Sequence, residues 1–483
     1  MSTDESLDPS DWQTLRAEGH RMLDDMLDYL QHIRDRPVWQ PIPAEVRAQF
    51  HEPLPEQPTE LAQLHETFMS RILPYAVGNV HPGFMGWVHG GGTAVGMLAE
   101  MLAGGLNANV GGRDQMPIAV EQQVTEWVRD LFGFPASASG LFVTGTSMAN
   151  LISVLAARCA ALGPAVRRTG VADGERRLTA YASTSAHHCI GQALDIAGLG
   201  SDALRRIPTN ERHELDPEAL ERAIAADRAA GLHPFLIAGS AGTADVGAID
   251  DLAALARCAE RHGLWFHVDG AYGALAMLAP DLAPRLAGIE RADSLAFDFH
   301  KWGQVPYDAG FVLMRDAALH ERTFASSAAY LQRHSRAMAA GSPWPCDFGP
   351  DLSRGFRALK TWFTLKAYGR ERLGRMISAT CALARRLGEA VQAQPALELL
   401  APVSLNIVCF GCRCGDPDRV NAEVAAALQE SGLCAPSTTT VNGRLAIRAA
   451  IVNHRTGPAD IDRLVEAAVA FAGKHARGAG EDS

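Results

Sequence analysis

The chain has 483 residues, 47% hydrophobic and 20% charged, with a net charge of −11 at pH 7. That balance is typical of a globule with a large core, and it leaves no basic stripe for a nucleic acid. No apolar run approaches the ~18 residues that cross a membrane. The start "MSTDESLDPSDW" has neither the basic nor the apolar segment of a secretory signal. Its nine scattered cysteines suit a reducing cytoplasm better than a disulfide framework.

In chain order, residues 11–34 place Trp12, Leu15, Leu23, Met26, Leu27, Leu30 and Ile33 at helical spacing, which predicts an amphipathic helix. Its apolar stripe needs a cover, and a partner subunit would supply one. Proline-rich links "RPVWQPIP" and "HEPLPEQP" follow. Residues 93–106 read as a largely buried helix, with Met97 and Met101 as core residues. From about 140 to 315, the apolar runs "GLFVTGT", "LTAYAS", "PFLIAGSAGT", "LWFHVDGA", "DSLAFDF" and "AGFVLMRD" alternate with helical stretches. Apolar strands joined by helices predict an α/β fold whose mainly parallel sheet is covered on both faces. Ligands then sit beyond the strand carboxyl ends. After about 375 the pattern changes to a small α+β unit. The expected division is an N-terminal helical arm over 1–85, a large α/β domain over 86–375 and a small domain over 376–483. Cys409, Cys412 and Cys414 in "VCFGCRCG" have no second Cys or His pair at a matching spacing, so no metal site is assigned.

Four strand ends carry polar residues of unusual kind. "TGTSMAN" puts Gly145, Thr146 and Ser147 where a strand turns into a helix, which makes either an anion site or an ordinary cap. "TSAHHC" offers His187 and His188, which alone could be a capping and a solvated histidine. In "HVDGAYG", Asp269 follows an apolar strand, and a buried carboxylate is costly without a cation or donors. "FDFHKW" ends an apolar run on His300 and Lys301. A lysine at a strand end usually snorkels to solvent, but one held in apolar surroundings loses its charge or finds a reactant. Together the four ends describe one ligand. It has a phosphate, a ring nitrogen that wants a carboxylate, a flat face that wants an imidazole, and an aldehyde that a lysine can capture. Pyridoxal 5′-phosphate fits.

The stretches "HPGFMGWVHGGG", "GLFVTGTSMANL", "TSAHHC", "WFHVDGAYG", "DSLAFDFHKW", "SAAYLQ" and "SRGFRALKTWFTLKAYG" run in order over roughly residues 75–370. In them the chain resembles the group II pyridoxal-phosphate decarboxylases, and most of all the aromatic-L-amino-acid decarboxylase branch. The resemblance implies the fold type I, transferase-like architecture for the large domain, and a homodimer with a shared active site. It makes Lys301 the lysine that holds the cofactor and Asp269 the partner of the ring nitrogen. His187 would stack on the ring and Ala271 on its other face. Gly145, Thr146, Ser147 and His300 would surround the phosphate, with Thr243 also at the cofactor. Tyr330, at the family tyrosine's distance beyond the lysine, would return a proton after carbon dioxide leaves. Related aldehyde synthases carry phenylalanine there.

The chain departs from the better-known animal members at the substrate pocket. An aromatic–proline–threonine stretch is replaced by "WVHGGG", which makes Trp87, His89 and Gly90 the candidate substrate contacts, with the glycines expected to leave room. Arg354–Gly355 stands where an arginine pair is usual. The resulting expectation is decarboxylation of an aromatic L-amino acid to its amine. The alternatives are oxidative decarboxylation to an aldehyde, a decarboxylase of acidic or aliphatic amino acids, and a binding protein that keeps only the fold.

Overall fold

The computed structural model describes residues 6–171, 177–326 and 333–477. Strand β1 (Phe84–Met85) stands apart from the next seven, β2 (Ser139–Val143), β3 (Leu178–Ser183), β4 (Leu204–Ile207), β5 (His233–Ser240), β6 (Trp265–Asp269), β7 (Ser294–Asp298) and β8 (Gly310–Met314). Those seven form one sheet in the order β2-β8-β7-β6-β5-β3-β4. β8 runs antiparallel to both its neighbours, and the remaining pairs are parallel. The runs are apolar on both faces because both faces are covered: every residue of β3, β6 beyond Trp265, β7 and β8 is buried.

Connecting helices begin and end where local chemistry dictates. Asp216 caps Pro217–Ala229 and Asp251 caps Leu252–His262, each through its carboxylate. Gly263 ends the latter helix at φ 64°, a conformation that other residues adopt at a cost. The helix Thr146–Leu162 differs, because its cap residue Gly145 offers no side chain to the free N–H groups.

A second sheet contains β9 (Leu397–Leu399), β10 (Ile407–Cys412), β11 (Ala435–Val441) and β12 (Arg444–Ala450), with β1 added parallel to β11. The helix Arg357–Ala393 runs from the large sheet's core into this sheet's core, broken at Gly369 (φ 69°). Cys409 packs into the larger core and Cys412 into the smaller, so the two thiols of that cluster face opposite ways.

Two apolar surfaces lie open. The helix Trp12–Gln31 buries no residue, and Trp12, Leu15, Met22 and Leu27 are exposed. The helix Ala94–Leu106, expected to be core, buries only Gly96 and Ala99 while Met101, Leu102 and Leu106 are exposed. That expectation is corrected, since helical periodicity marks an apolar face without saying what covers it.

Candidate active site

The alternation Phe297–Asp298–Phe299 explains the opening of the lysine strand. The two phenylalanines turn into an aromatic cluster, with ring centroids 4.9 Å apart and contacts to Phe142 and Phe311. Burying a side chain of that size contributes about 1.5–3 kcal/mol. Asp298 points the other way, toward the N-terminus of the helix Thr146–Leu162, whose Thr146 N–H donates to it at 2.7 Å. Trp302, wholly buried, anchors the turn by donating from Nε1 to Thr380 at 3.0 Å.

Lys301 emerges from this turn with its Nζ 2.9 Å from Asp298 Oδ2 and a side chain 24% exposed. Its ammonium is therefore held by a carboxylate and not isolated among apolar groups, which amends the expected surroundings. His300 accepts from Ala309 N–H at Nδ1 (2.9 Å), so Nε2 carries the ring proton and faces Asp298 at 3.6 Å. Burial pulls the His300 pKa below its ordinary value.

On the adjacent strand, Asp269 is level with Ala296 and so shares a face with Asp298. Its Oδ1 accepts from Ala271 N–H and its Oδ2 from Asn150 Nδ2, both at 3.1 Å. His187 accepts from Cys189 N–H at Nδ1 (3.3 Å), and burial lowers its pKa, opposed in part by the charge on Asp269. Its neighbour His188 lies 4.1 Å away ring to ring but does not line the cavity.

These groups meet in one cavity of about 480 Å³, lined among others by Gly145, Thr146, Ser147, His187, Thr243, Asp269, Ala271, His300 and Lys301. Trp87 and His89 form one wall. His89 stacks on Trp87 (5.6 Å) and Phe84 (5.7 Å), and Tyr307 meets it edge-on at 5.9 Å. Burial, then the charge of Lys301, lowers the His89 pKa, which favours the neutral ring. Gly90 is not part of the lining. A Cβ there would collide with the carbonyl oxygens of His300 and Lys301, so the glycine permits close backbone approach beneath the lysine turn and makes no room for a substrate. Tyr330 lies outside the described residues. A separate cavity of about 510 Å³ opens where Arg228, His233 and His262 gather, and it contains none of the predicted residues.

Arg354 is likewise explained by structure. It is buried against Glu121 (2.6 Å) and donates to the carbonyls of Val110 and Phe142, tying the sheet edge to the segment before it. Sequence reasoning missed Asp298, Tyr307 and Arg448. Arg448 is 4% exposed and lines the cavity, donating to the carbonyls of Asp245 and Trp87. An arginine within the strand "RLAIRAAIV" and an aspartate between two phenylalanines were readable signals.

The residues fit a phosphorylated pyridine aldehyde on the structure's own terms. Thr146 Oγ1 is buried, lines the cavity and has no hydrogen-bond partner among the described residues, on the first turn of a helix whose cap residue Gly145 has no side chain and whose first N–H is taken by Asp298. An anion with acceptor oxygens would satisfy that hydroxyl and the N–H groups of the turn that Asp298 does not reach. The comparisons agree with this chemistry. Residues 43–413 match the model of the pyridoxal-dependent decarboxylase conserved domain. The chain is 32% identical over 456 residues to an aromatic-L-amino-acid decarboxylase of Bacillus atrophaeus, covering 92% of each. It is 29% identical over 464 residues to a phenylacetaldehyde synthase of Arabidopsis thaliana, covering 92% of this chain and 93% of that one. The crystal structure of Oryza sativa TDC with PLP and tryptamine superposes with a TM-score of 0.89 at 25% identity, over 98% of this chain and 100% of that one. The fold and cavity therefore define a pyridoxal-phosphate enzyme. The chain belongs to the pyridoxal-dependent decarboxylase family, as a carboxy-lyase of the α/β, transferase-like architecture.

Proposed function

We propose that the protein decarboxylates an aromatic L-amino acid to its amine, with Lys301 as the residue that holds the cofactor. What carries the reading is that Lys301, Asp269 and His187, from three separate strand ends, line one cavity together with the Thr146 hydroxyl, which has no hydrogen-bond partner among the described residues. Thr146, Ser147, Gly145 and His300 would hold the phosphate, and Thr243 would close the cofactor site beside them. Asp269 would face the ring nitrogen, with His187 and Ala271 on the two ring faces. The bound cofactor supplies an electron sink for the bond broken at Cα. Asp269 would keep the proton on the ring nitrogen by electrostatic attraction. His187 excludes water above the ring, and Tyr330 delivers the proton to the substrate Cα. Trp87 and His89, with Tyr307 against His89, offer an aromatic wall for an aromatic side chain.

The open faces of the helices Trp12–Gln31 and Ala94–Leu106 support a homodimer that covers them. Light scattering should give twice the chain mass, and a monomer at micromolar concentration would refute this. The nine free thiols support a cytoplasmic enzyme, and no helix among the described residues is long and apolar enough to cross a membrane.

The function is tested with a panel of amino acids scored for carbon dioxide, amine and peroxide. Aromatic substrates should give carbon dioxide and amine in equal amounts, with little peroxide. Tyr330→Phe should cut the amine yield and, with oxygen present, produce aldehyde, ammonia and peroxide. Turnover restricted to acidic or aliphatic substrates would contradict the aromatic reading. A product profile indifferent to Tyr330→Phe would remove that tyrosine from the mechanism.

A further inference from the structure

Behind Asp269 runs a file of polar side chains whose side-chain hydrogen bonds to the cavity lining, among the described residues, go only to that carboxylate and to Cys189. Trp265 Nε1 lies 2.8 Å from Ser294 Oγ, which lies 2.8 Å from His267 Nδ1. His267 Nε2 lies 2.8 Å from Asn150 Oδ1, and Asn150 Nδ2 lies 3.1 Å from Asp269 Oδ2. Asn150, His267 and Ser294 are each 0% exposed.

The two ends of the file fix three of its four directions, and the neutral His267 ring fixes the fourth. An indole N–H can only donate, so Ser294 Oγ accepts from Trp265. At the other end an ionised carboxylate can only accept, so the Asn150 amide turns its NH₂ toward Asp269 and its oxygen toward His267. His267 must then donate from Nε2. Complete burial lowers its pKa to about 4, so the ring is neutral and Nδ1 is bare, ready to accept the Ser294 hydroxyl proton. All four links donate toward residue 269, and aligned hydrogen bonds of this kind strengthen one another.

We propose that Trp265, Ser294, His267 and Asn150 form a one-way relay of neutral donors that positions the Asp269 carboxylate for the cofactor's ring nitrogen. The inference rests on the reading of Asp269 given above. Core packing alone gives no reason for the file, because apolar side chains of similar shape would fill that space without desolvating several polar groups. Its members come from β6, β7 and the helix Thr146–Leu162, so the relay also ties the phosphate-end helix to the ring-nitrogen strand. With Ala271 N–H holding Oδ1 and Asn150 holding Oδ2, rotation of the carboxylate is blocked and its free lone pairs face the cavity. These four are positioning residues, since none is among the groups that would touch the cofactor.

The test uses the full-length, cofactor-loaded protein and follows the pH at which its visible absorbance titrates, together with cofactor affinity. A protonated ring nitrogen helps the nitrogen contributed by Lys301 to shed its own proton, so a poorly held Asp269 moves that midpoint upward. Asp269→Asn, the reference, should give the largest rise. Asn150→Leu should raise the midpoint by roughly one unit and weaken cofactor retention by about tenfold, as loss of an outer-shell partner does at metal sites. His267→Leu should shift both readouts in the same direction, and His267→Gln, which keeps a donor toward Asn150, should shift them less. Ser294→Ala and Trp265→Phe should shift in the same direction by less. If Asp269→Asn shifts the midpoint while Asn150→Leu, Ser294→Ala and Trp265→Phe all leave both readouts at wild type, the relay is refuted and the Asp269 reading survives. If Asp269→Asn itself changes nothing, both fall. Should Asn150→Leu fail to fold, Ser294→Ala and Trp265→Phe decide, and no shift in either overturns the proposal.

Discussion

Two carboxylates, Asp269 and Asp298, end neighbouring strands on the same face of one sheet, and each touches the same helix one turn apart, at Asn150 and at Thr146. Their surroundings could hardly differ more. Asp269 is met by an amide, a backbone N–H and a thiol, all neutral. Asp298 is met by an ammonium at 2.9 Å, an imidazole at 3.6 Å and the first N–H of the helix. A carboxylate held by neutral donors keeps its charge available for something cationic placed opposite it. One paired with a lysine spends its charge on holding that amine in place. Neighbours, not residue type or strand position, separate the two roles.

Substitutions at the two positions can break this contrast. The largest effect is expected at residue 269, where Asp269→Asn should lower kcat/KM by about a thousandfold, in the range seen when a preorganised electrostatic group is removed from an active site. Asp298→Asn keeps an acceptor for the Thr146 N–H but loses the ion pair to Lys301. Covalent uptake of cofactor should slow by about tenfold, because the amine is no longer oriented, with kcat of the loaded enzyme changed less. Equal losses of kcat in the two variants would mean that the carboxylates share one function.

The smallest effect is thermodynamic. His267, beside Asp269, and His320, on the helix Ala317–Phe324, are wholly buried, and burial lowers their pKa values to about 4 and about 3 from 6.5. The unfolded chain therefore takes up protons that the folded chain refuses, so their contribution to stability is complete above pH 6.5 and is lost as pH falls through that window. The loss should grow as pH falls from 6.5 toward the folded pKa values and approach about 3 kcal/mol per histidine near pH 4. Urea midpoints measured from pH 7 to pH 4 should fall accordingly, and the slope should lessen in His267→Gln. A slope unchanged in His267→Gln would mean that His267 is not held neutral beside Asp269.

Much of the site was legible in the sequence because strand carboxyl ends announce themselves. An apolar run that stops on Asp269, on His300–Lys301, or on Gly145–Thr146–Ser147 puts a polar group where a doubly covered sheet exposes its loops. Asn150 and His267 were illegible for the converse reason. They sit inside a helix and a strand, where nothing in the spacing says that a polar side chain meets another one from a distant element. Gly90 was misread because a glycine in a loop does not reveal whether it leaves a space or is pressed against another backbone. The Ala94–Leu106 face was misread because an apolar stripe looks the same against a core and against solvent.

The central claim is that Lys301 alone carries the cofactor. The chain's other lysines are Lys360, Lys366 and Lys474. Lys360 is buried against Glu100 and Lys366 lies over the Trp362 ring. Reduction of the loaded protein with borohydride followed by peptide mapping should find the pyridoxyl group on Lys301, in the peptide containing "FDFHKW". Recovery of the label at Lys360, Lys366 or Lys474 with Lys301 unmodified would contradict the account.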